Sequence, residues 1–339
     1  MRFLITGHTG FKGSWLSLLL LERGHEVNGI ALKPIAGSLF DKTDMGKLFR
    51  ENIICDIRDY DKVEKVFKKI NPDVVIHLAA QALVRESYKN PLVTYQTNVM
   101  GTINVLKASQ TISNLKAQLI VTTDKVYKNM SKNCGYMEDD EIGGHDPYSS
   151  SKAMADLATQ SWMYSFENAP TAIARAGNVI GGGDICVDRL LPDLVKSYSV
   201  GNVPKLRFPE SVRPWQHVLD CLNGYLKLVD ALIGGYGSGI WNIGPEKSEI
   251  KTVSDVANIA ANLWGATNKW ELDLNSNLFE ESALLLNSDK AVKYLNWRNK
   301  LGFEEGVAWT INWYKNIYNG SDALEETLLD IHKFQAIVS

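Results

Sequence analysis

The stretch Thr6-Gly7-His8-Thr9-Gly10-Phe11-Lys12-Gly13 lies between the apolar run 3–6, which predicts a strand, and the helix-like run 12–23. Glycine allows a tight turn and a close approach to a pyrophosphate, whose charge is attracted by the free amides of the following helix. Tight turns of other kinds also require glycine, but a strand before and a helix after favour dinucleotide binding. We assign this role to Gly7, Thr9, Gly10, Phe11 and Gly13.

Beyond this turn, strand-like and helix-like segments alternate along the chain. The strand candidates are residues 27–32, 74–78, 118–122 and 171–174, and the helix candidates are residues 60–69, 93–111 and a helix from Tyr148. Such alternation predicts an α/β fold with a doubly wound parallel sheet of the Rossmann type. We expect residues 1–177 with 214–245 to form the dinucleotide-binding domain. Residues 178–213 with 246–339 are expected to form a smaller C-terminal α/β substrate lobe.

The composition limits the classes of partner. The chain has 339 residues and a net charge of -3, without a long basic run, so no nucleic acid is expected to bind. Met1 leads directly into the first strand, which predicts no signal peptide, and the four leucines 18–21 are too few to span a membrane. Four scattered cysteines without a Cys-x-x-Cys pair argue against a zinc site or disulfides. We expect a cytoplasmic protein without a metal.

The adenosine end of the cofactor site has a less specific pattern. The second strand is expected to end with an acid that binds the ribose, but Lys33 lies in that region instead. Lys33 suits the 2′-phosphate of NADP, but it equally suits a solvated surface position. The residue therefore does not decide between the two cofactors: NAD is the expected one, and NADP stays open. Asp56, followed by Ile57, can accept a hydrogen bond from the adenine amino group, or it is a turn carboxylate.

The stretch His77-Leu78-Ala79-Ala80-Gln81 ends another predicted strand. Its small side chains let a cofactor lie against the backbone, so Leu78, Ala79 and Ala80 are assigned to the cofactor site. His77 is expected to be a hydrogen-bonded structural residue. Asn98, grouped with the cofactor residues, is expected to bridge backbone breaks in the neighbouring helix.

Tyr148 and Lys152 are four residues apart and therefore share one face of a helix, for which Asp146 is the expected cap and Pro147 the first residue. A free tyrosine has a pKa of about 10, and a nearby ammonium lowers that pKa by stabilising the phenolate. Tyr148 is thus a candidate base, and Lys152 also a ligand for the nicotinamide ribose. The alternative is two ordinary surface residues.

Thr123-Asp124-Lys125 follows the strand candidate 118–122. Hydride transfer needs only the Tyr–Lys pair, so a further acid and base indicate additional chemistry, which we infer to be loss of water.

Several stretches together identify a family. They are Phe11-Lys12-Gly13-Ser14-Trp15, Thr123-Asp124-Lys125, Pro147-Tyr148-Ser149-Ser150-Ser151-Lys152, Gly181-Gly182-Gly183-Asp184 and Arg213-Pro214-Trp215-Gln216-His217-Val218. In this combination the chain resembles the CDP-glucose 4,6-dehydratases, which belong to the extended short-chain dehydrogenase/reductase superfamily. The glycine and Tyr–Lys motifs are typical of the superfamily. Lys125, the Phe-Lys-Gly-Ser-Trp run and the Arg-Pro-Trp-Gln-His-Val run are typical of the narrower family.

The resemblance implies a lyase that converts CDP-glucose to CDP-4-keto-6-deoxyglucose. Tyr148 would take the 4-hydroxyl proton during C4 oxidation while Thr123 bonds the same oxygen, water would be lost across C5 and C6, and hydride would return to C6. Carried over from related dehydratases, Asp124 is the acid and Lys125 the base. The reverse assignment needs no large pKa shifts. An epimerase or reductase acting on another nucleotide sugar is the alternative.

The resemblance also implies how the substrate is bound. Arg189 and Arg213 are expected to bind the diphosphate, since a guanidinium presents several donors in one plane. Asn178 and Asp184 are placed beside them, and His217 is expected to act as an indirect partner within this substrate-binding group. The helices near 93–111 and 148–166 resemble those of a homodimer interface, and the family acts in deoxysugar biosynthesis for lipopolysaccharide O-antigen.

Overall fold

The structure is a computed structural model, and it describes residues 1–130, 132, 134–166, 169–246, 251–273 and 285–338. The main element is a seven-stranded sheet in which every neighbouring pair is parallel. Its strands, in spatial order, are β11 (Gly239–Ile243), β6 (Thr171–Ala176), β5 (Ala117–Val121), β4 (Val74–His77), β1 (Arg2–Thr6), β2 (Glu26–Ala31) and β3 (Glu51–Ile54). The order reverses between β1 and β4, which is where ligands bind in open sheets of this type.

Helices connect the strands and cover both faces of the sheet. In chain order they are α1 (Phe11–Glu22), α2 (Leu39–Lys42), α3 (Tyr60–Ile70), α4 (Val84–Lys89), α5 (Pro91–Tyr95), α6 (Gly101–Ser109), α7 (Pro147–Ser165), α8 (Leu190–Ser199), α9 (Val218–Ile233), α10 (Val253–Trp264), α11 (Asp289–Leu295), α12 (Phe303–Tyr318) and α13 (Ala323–Val338). One core lies between the sheet and α1 and α9, and a second lies between the sheet and α3 and α6. The central strands are apolar because both faces are buried.

Short strand pairs form the region beside the carboxyl ends of the sheet. They are β7 (Val179–Ile180) with β10 (Gln216–His217), β8 (Lys205–Leu206) with β13 (Glu271–Leu272), and β9 (Val212–Arg213) with β12 (Lys251–Thr252). A separate core joins α8, α10 and one side of α12. The other side of α12, with α11 and α13, packs into the same core as α1. The C-terminal segment assigned to the substrate lobe therefore also covers the large sheet.

The predicted fold class and the predicted elements are confirmed, with ends that differ by at most two residues. The helix predicted over 93–111 contains a π-helical turn, Gln96–Met100, between α5 and α6. The turn forms where Asn98 is fully buried and bonds to the backbone of Gln81, accepting from its amide at 2.8 Å and donating to its carbonyl at 3.0 Å. Across the described residues, no helix combines the length and apolar character that a membrane crossing requires.

Candidate active site

A cavity of about 610 Å³ opens at the carboxyl ends of the parallel strands. Nearly all of the predicted catalytic and substrate residues line it: Thr123, Asp124, Lys125, Tyr148, Lys152, Asn178, Asp184, Arg189 and Arg213, together with Leu78 and Ala80 from the cofactor group. These residues come from segments that are far apart in the chain, and the sheet brings them together because parallel strands end at one edge. Their predicted roles in binding and catalysis stay predictions.

The helix α7 carries Tyr148 and Lys152 on the face that meets β5. Asp146 caps the helix by accepting a hydrogen bond from the Ser149 amide at 2.9 Å, as predicted. The Tyr148 amide donates to the buried Ser87 hydroxyl at 3.1 Å, and Lys152 Nζ donates to the Val121 carbonyl at 2.8 Å. Lys152 is thereby fixed against the end of β5, and the start of α7 at Tyr148 is fixed against α4.

The phenol of Tyr148 has a higher pKa than the sequence indicated. Burial raises the pKa of Tyr148 to about 12, while a hydrogen bond with Thr123 and the charge of Arg189 act in the opposite direction. Burial also lowers the pKa of Lys152 to about 8, helped by the neighbouring ammonium of Lys12. Desolvation is therefore the largest effect on this phenol, and it moves the pKa in the direction opposite to that expected from a nearby ammonium.

Asp124 and Lys125 form an ion pair at the wall of the cavity. Lys125 Nζ lies 3.2 Å from Asp124 Oδ1, and the Thr123 hydroxyl donates to the same oxygen at 2.8 Å. The Asp124 side chain is 2% exposed and that of Lys125 is 28% exposed. The acid and the amine are thus in direct contact, the situation in which each stabilises the charged form of the other.

The glycine turn fits a group that lies close against the backbone. Gly7 has φ of 76°, and a Cβ there would lie 2.7 Å from the amide nitrogen of Ala79, so the segment that follows β4 leaves no room for a side chain. A Cβ on Gly13 would lie 2.2 Å from the Gly7 carbonyl oxygen. Gly10 provides no side-chain cap for α1, which suits an anion at this helix start.

The other cofactor candidates divide into exposed and structural positions. Lys33 is exposed near the end of β2, and Thr9 donates to the Leu32 carbonyl at 3.1 Å. Asp56 forms an ion pair with Arg58 at 2.6 Å and also accepts from the Arg58 amide, which is the turn arrangement considered above. Ile57 is buried against Gly101 of α6.

His77 and Asn98 both bond to protein groups, but the backbone contact of Asn98 is with Gln81 in the loop after β4 and not with a break in a neighbouring helix. His77 lies between the hydroxyls of Thr6 and Thr102, at 2.6 and 3.0 Å, and burial lowers its pKa to about 3. Asn98 donates to Ser151 at 2.8 Å, in addition to its two bonds to Gln81. These contacts fix β1, α6 and α7 around the cofactor candidates.

On the far side of the cavity, Arg189 and Asp184 form an ion pair at 3.0 Å, and the Tyr314 hydroxyl donates to the Asp184 carbonyl at 2.5 Å. His217 differs from the other substrate candidates. Its ring is buried between Trp15 and Trp309 outside the lining of the cavity, and burial lowers its pKa to about 3. This position fits the indirect role and not a contact with substrate.

The sequence prediction missed Lys12 in the cavity lining and Ser87 behind Tyr148. Lys12 lines the cavity, and its Nζ lies 3.4 Å from the Tyr225 hydroxyl and 5.7 Å from the centre of that ring. The sequence did contain a signal for Lys12, because it is a single charged residue between Phe11 and an apolar helix. Ser87, which holds the Tyr148 amide, lies in a polar stretch and has no such signal.

The parallel sheet, the glycine turn and the cavity at the strand ends define a Rossmann-type enzyme of the extended short-chain dehydrogenase/reductase class. Residues 4–310 match the family model described as GDP-mannose 4,6 dehydratase. A CDP-glucose 4,6-dehydratase of Salmonella typhimurium is 41% identical over 334 residues, which cover 95% of this chain and 93% of that protein. The chain therefore belongs to the nucleotide-sugar 4,6-dehydratase family.

Solved structures agree with this placement. The dTDP-glucose 4,6-dehydratase of Bacillus anthracis, in complex with NAD, has a TM-score of 0.81 and 25% identity and covers 93% of this chain and 97% of its own. A UDP-glucose-4-epimerase of Stenotrophomonas maltophila, with bound NAD and formylated UDP-arabinopyranose, has a TM-score of 0.83 at 20% identity, with 95% and 100% covered. The second likeness concerns the fold alone.

Proposed function

We propose that this chain is an NAD-dependent lyase that converts CDP-glucose to CDP-4-keto-6-deoxyglucose. The observation that carries the proposal is the position of the Asp124–Lys125 pair, which lines the same cavity as Tyr148 and Lys152. An epimerase or reductase needs the Tyr–Lys pair but no second acid and base. The 41% identical relative named CDP-glucose 4,6-dehydratase supports cytosine as the base of the substrate nucleotide.

In the first step, Tyr148 acts as a phenolate: its own proton first passes to solvent, against the effect of burial on its pKa, and it then takes the proton of the sugar 4-hydroxyl while Thr123 bonds the same oxygen. Their mutual hydrogen bond places both groups at one point of the cavity. When bound, NAD would supply the acceptor for the C4 hydride and the donor that reduces C6. The glycine turn would hold its pyrophosphate, and Lys152 the ribose next to the nicotinamide.

In the second step, one group removes the C5 proton, which the 4-ketone acidifies, and another protonates the departing 6-hydroxyl. The family roles make Lys125 the base and Asp124 the acid. The ion pair at 3.2 Å supports the reverse, because it stabilises carboxylate and ammonium, the forms that act as base and acid in that assignment. We propose the family roles as the assignment to test, since position in the cavity ranks before pKa in identifying a base.

Solvent deuterium incorporation at C5 distinguishes these assignments. Lys125→Met and Asp124→Asn are compared by mass spectrometry and NMR once the 4-ketone has formed. If Lys125 is the base, its variant exchanges C5 at least about 100-fold more slowly than the parent. Exchange at the parent rate in Lys125→Met, with slow exchange in Asp124→Asn, would establish the reverse roles.

Substrate would extend from the catalytic residues toward the second lobe, residues 178–213 with 246–339. Arg189 and Arg213 supply the positive charge for a diphosphate, and Asn178 and Asp184 lie in the same lining. Residues 1–177 with 214–245 would bind NAD. The four cysteines are unpaired, which supports a reducing compartment, the cytoplasm, and we extend the proposal to deoxysugar biosynthesis for O-antigen.

We propose that the protein acts as a homodimer. Large apolar side chains are exposed on α5 and α7 and on the π-helical turn between α5 and α6: Leu92, Val93, Met100, Met154, Leu157 and Tyr164. A patch of this kind is typical of a buried interface. Light scattering after size-exclusion chromatography should give twice the chain mass, and Leu157→Glu should give the monomer. A monomeric parent would contradict the proposal.

The activity is tested with a panel of CDP-, dTDP-, GDP- and UDP-hexoses, each incubated with the protein and either NAD or NADP. CDP-glucose with NAD should yield a 4-keto-6-deoxy product, detected by its absorbance in alkali and identified by NMR. Tyr148→Phe serves as the inactive control. A C4 epimer without deoxygenation would identify an epimerase, and no product from any sugar would overturn the proposal.

A further inference from the structure

Besides Asp124, a second carboxylate lies near the catalytic candidates, one helical turn beyond Lys152 on α7. Asp156 is fully buried in α7, outside the lining of the cavity, and pairs with Arg175 of β6, which is also fully buried. Arg175 Nε donates to Asp156 Oδ2 at 2.9 Å and its second terminal nitrogen donates to Oδ1 at 2.8 Å. This is a two-point pairing with a planar guanidinium, the strong form of such a bond.

The remaining contacts of the pair are also saturated. Asp156 accepts hydrogen bonds from the Thr122 hydroxyl at 3.1 Å and from the side-chain amide of Gln160 at 2.8 Å. Arg175 donates to the Tyr127 hydroxyl at 2.8 Å and to the Glu138 carbonyl at 3.0 Å. An apolar pair of similar volume would usually be at least as stable, so stability by itself does not explain an ion pair in this place.

The contact with Thr122 gives the pair its connection to the site. Thr122 stands between two residues that hold the catalytic side chains: the Val121 carbonyl accepts from Lys152, and Thr123 bonds to Tyr148. The Thr122 amide donates to the Ala174 carbonyl at 2.8 Å, one residue before Arg175. Asp156 therefore ties α7, the end of β5 and the end of β6 together at one point.

We propose that Asp156 and Arg175 are positioning residues for the dehydratase reaction: they hold the end of β5 against α7, so that Thr123 meets Tyr148 and the Val121 carbonyl meets Lys152. The expected loss of activity rests on the proposed function. The contacts that Asp156 and Arg175 make do not depend on that function.

The pair also affects the charge of Lys152. Among the described residues, the titratable groups that interact electrostatically with Lys152 or lie one turn from it on α7 are Lys12 of α1, His77 of β4, and Tyr148 and Asp156 of its own helix. His77 is neutral near pH 7, because burial lowers its pKa to about 3, and Tyr148 is neutral because burial raises its pKa to about 12. Lys12 lowers the pKa of Lys152, and Asp156 is the one of these four that raises it.

The test compares Asp156→Asn, the double variant Asp156→Leu/Arg175→Met, and the control Asp220→Asn. Asp220 is an equally buried carboxylate that accepts the amides of Lys300 and Leu301, at 2.7 and 3.1 Å, away from the cavity lining. The double variant removes the charges without leaving either one unpaired, so that a loss of activity cannot be attributed to an uncompensated buried charge. The control reports what loss of stability alone does.

With CDP-glucose, Asp156→Asn and the double variant should lose about 10- to 100-fold in kcat with KM changed less than about threefold, the size of effect that a displaced catalytic group produces. The alkaline limb of the kcat profile should move to lower pH. Asp220→Asn should retain the parental profile. Recovery of the parental kcat and profile by the double variant would overturn the proposal, because the pair would then serve stability only.

A second readout does not require turnover. Lysines carrying a ¹³C label at Cε are titrated by NMR, and Lys152→Met identifies the signal of Lys152. The titration of Lys152 should move to lower pH by about one unit in Asp156→Asn and stay in place in Asp220→Asn. An unmoved titration would count against the positioning proposal even for an active enzyme. A moved titration in a protein without activity on any nucleotide sugar would overturn the proposed function alone.

Discussion

Two ion pairs lie close to the end of β5, and they differ in almost every physical respect. Asp124–Lys125 joins neighbouring residues at the cavity wall, and the lysine reaches solvent. Asp156–Arg175 joins a helix and a strand in the interior, where neither side chain has any exposure. The first pair has a lysine, which can lose its proton, whereas an arginine stays charged.

The hydrogen bonds lead to the same distinction. Both bonds to Asp124 fall on Oδ1, and Oδ2 faces Gly177, where an added Cβ would lie 3.4 Å away. Both oxygens of Asp156 accept two bonds each. A carboxylate that lines the cavity can exchange a proton with a ligand, and one enclosed by four donors holds its neighbours in place. We infer that the same residue type performs chemistry in one place and positioning in the other.

The largest expected effect is a loss of kcat, and it should distinguish the tyrosine beside the cavity pair from the tyrosine beside the interior pair. Tyr148 bonds to Thr123 beside the cavity pair, and the Tyr127 hydroxyl bonds to Arg175 and Asn242 in the interior. Tyr148→Phe should lower kcat by about 10³- to 10⁴-fold, because it removes the base for C4 oxidation. Single-turnover absorbance of reduced nicotinamide measures this step.

Tyr127→Phe is the matched control. It should cost about 1–3 kcal/mol of unfolding free energy, since it leaves buried partners unsatisfied, with a much smaller effect on kcat. Equal losses of kcat in the two variants would remove the distinction between the cavity and the interior.

The second prediction concerns stability. Asp156→Asn should lower the free energy of unfolding by about 3–5 kcal/mol, because Arg175 stays buried without its counter-charge. Asp124→Asn should cost less than about 1 kcal/mol, since Lys125 can turn to solvent. Urea denaturation of the two variants and the parent measures both values. Similar costs would mean that the cavity pair is as structural as the interior one.

The third prediction concerns the order of the chemical steps. Asp124→Asn should keep C4 oxidation within about tenfold of the parent and slow the loss of water by about 10²-fold or more, so that reduced cofactor accumulates. Stopped-flow absorbance with CDP-glucose follows both phases. Loss of the first phase would place Asp124 in hydride transfer and not in elimination.

The smallest effect is a dependence of stability on pH. Burial lowers the pKa of Lys152 to about 8, whereas an unfolded lysine titrates at about 10.4. Between these values the unfolded chain binds more protons, so the unfolding free energy of the parent should rise with pH relative to Lys152→Met. The difference should grow by about 1–2 kcal/mol between about pH 8 and pH 10.

Arg175→Met provides the contrast for this measurement. Burial alone would lower the pKa of Arg175, but the hydrogen bond and charge of Asp156 outweigh it and hold that pKa above its usual value. The stability difference between the parent and Arg175→Met should therefore stay constant over the same range. A flat difference for Lys152→Met as well would show that its ammonium is not desolvated in the folded protein.

Local patterns in the sequence sufficed for the fold and for much of the cavity. The strand, glycine turn and helix at the start of the chain, and the cap at Asp146 before Tyr148, depend on contacts within a few residues. Alternation of apolar strands with helices determined the parallel sheet, and that sheet necessarily brings the strand ends with Thr123-Asp124-Lys125 to the edge that α7 covers. These predictions succeeded because short-range geometry and burial act on each segment separately.

The predictions that failed or were absent concern contacts between distant segments. The sequence determined that an acid and a base follow β5, that a Tyr and a Lys share a helix face, and that the sheet is parallel. Only the tertiary structure decided that burial raises the pKa of Tyr148, that Lys12 faces Lys152, and that Asp156 meets Arg175. Desolvation and long-range pairing depend on how completely other elements bury a side chain. The pattern of residues within one segment does not determine that degree of burial.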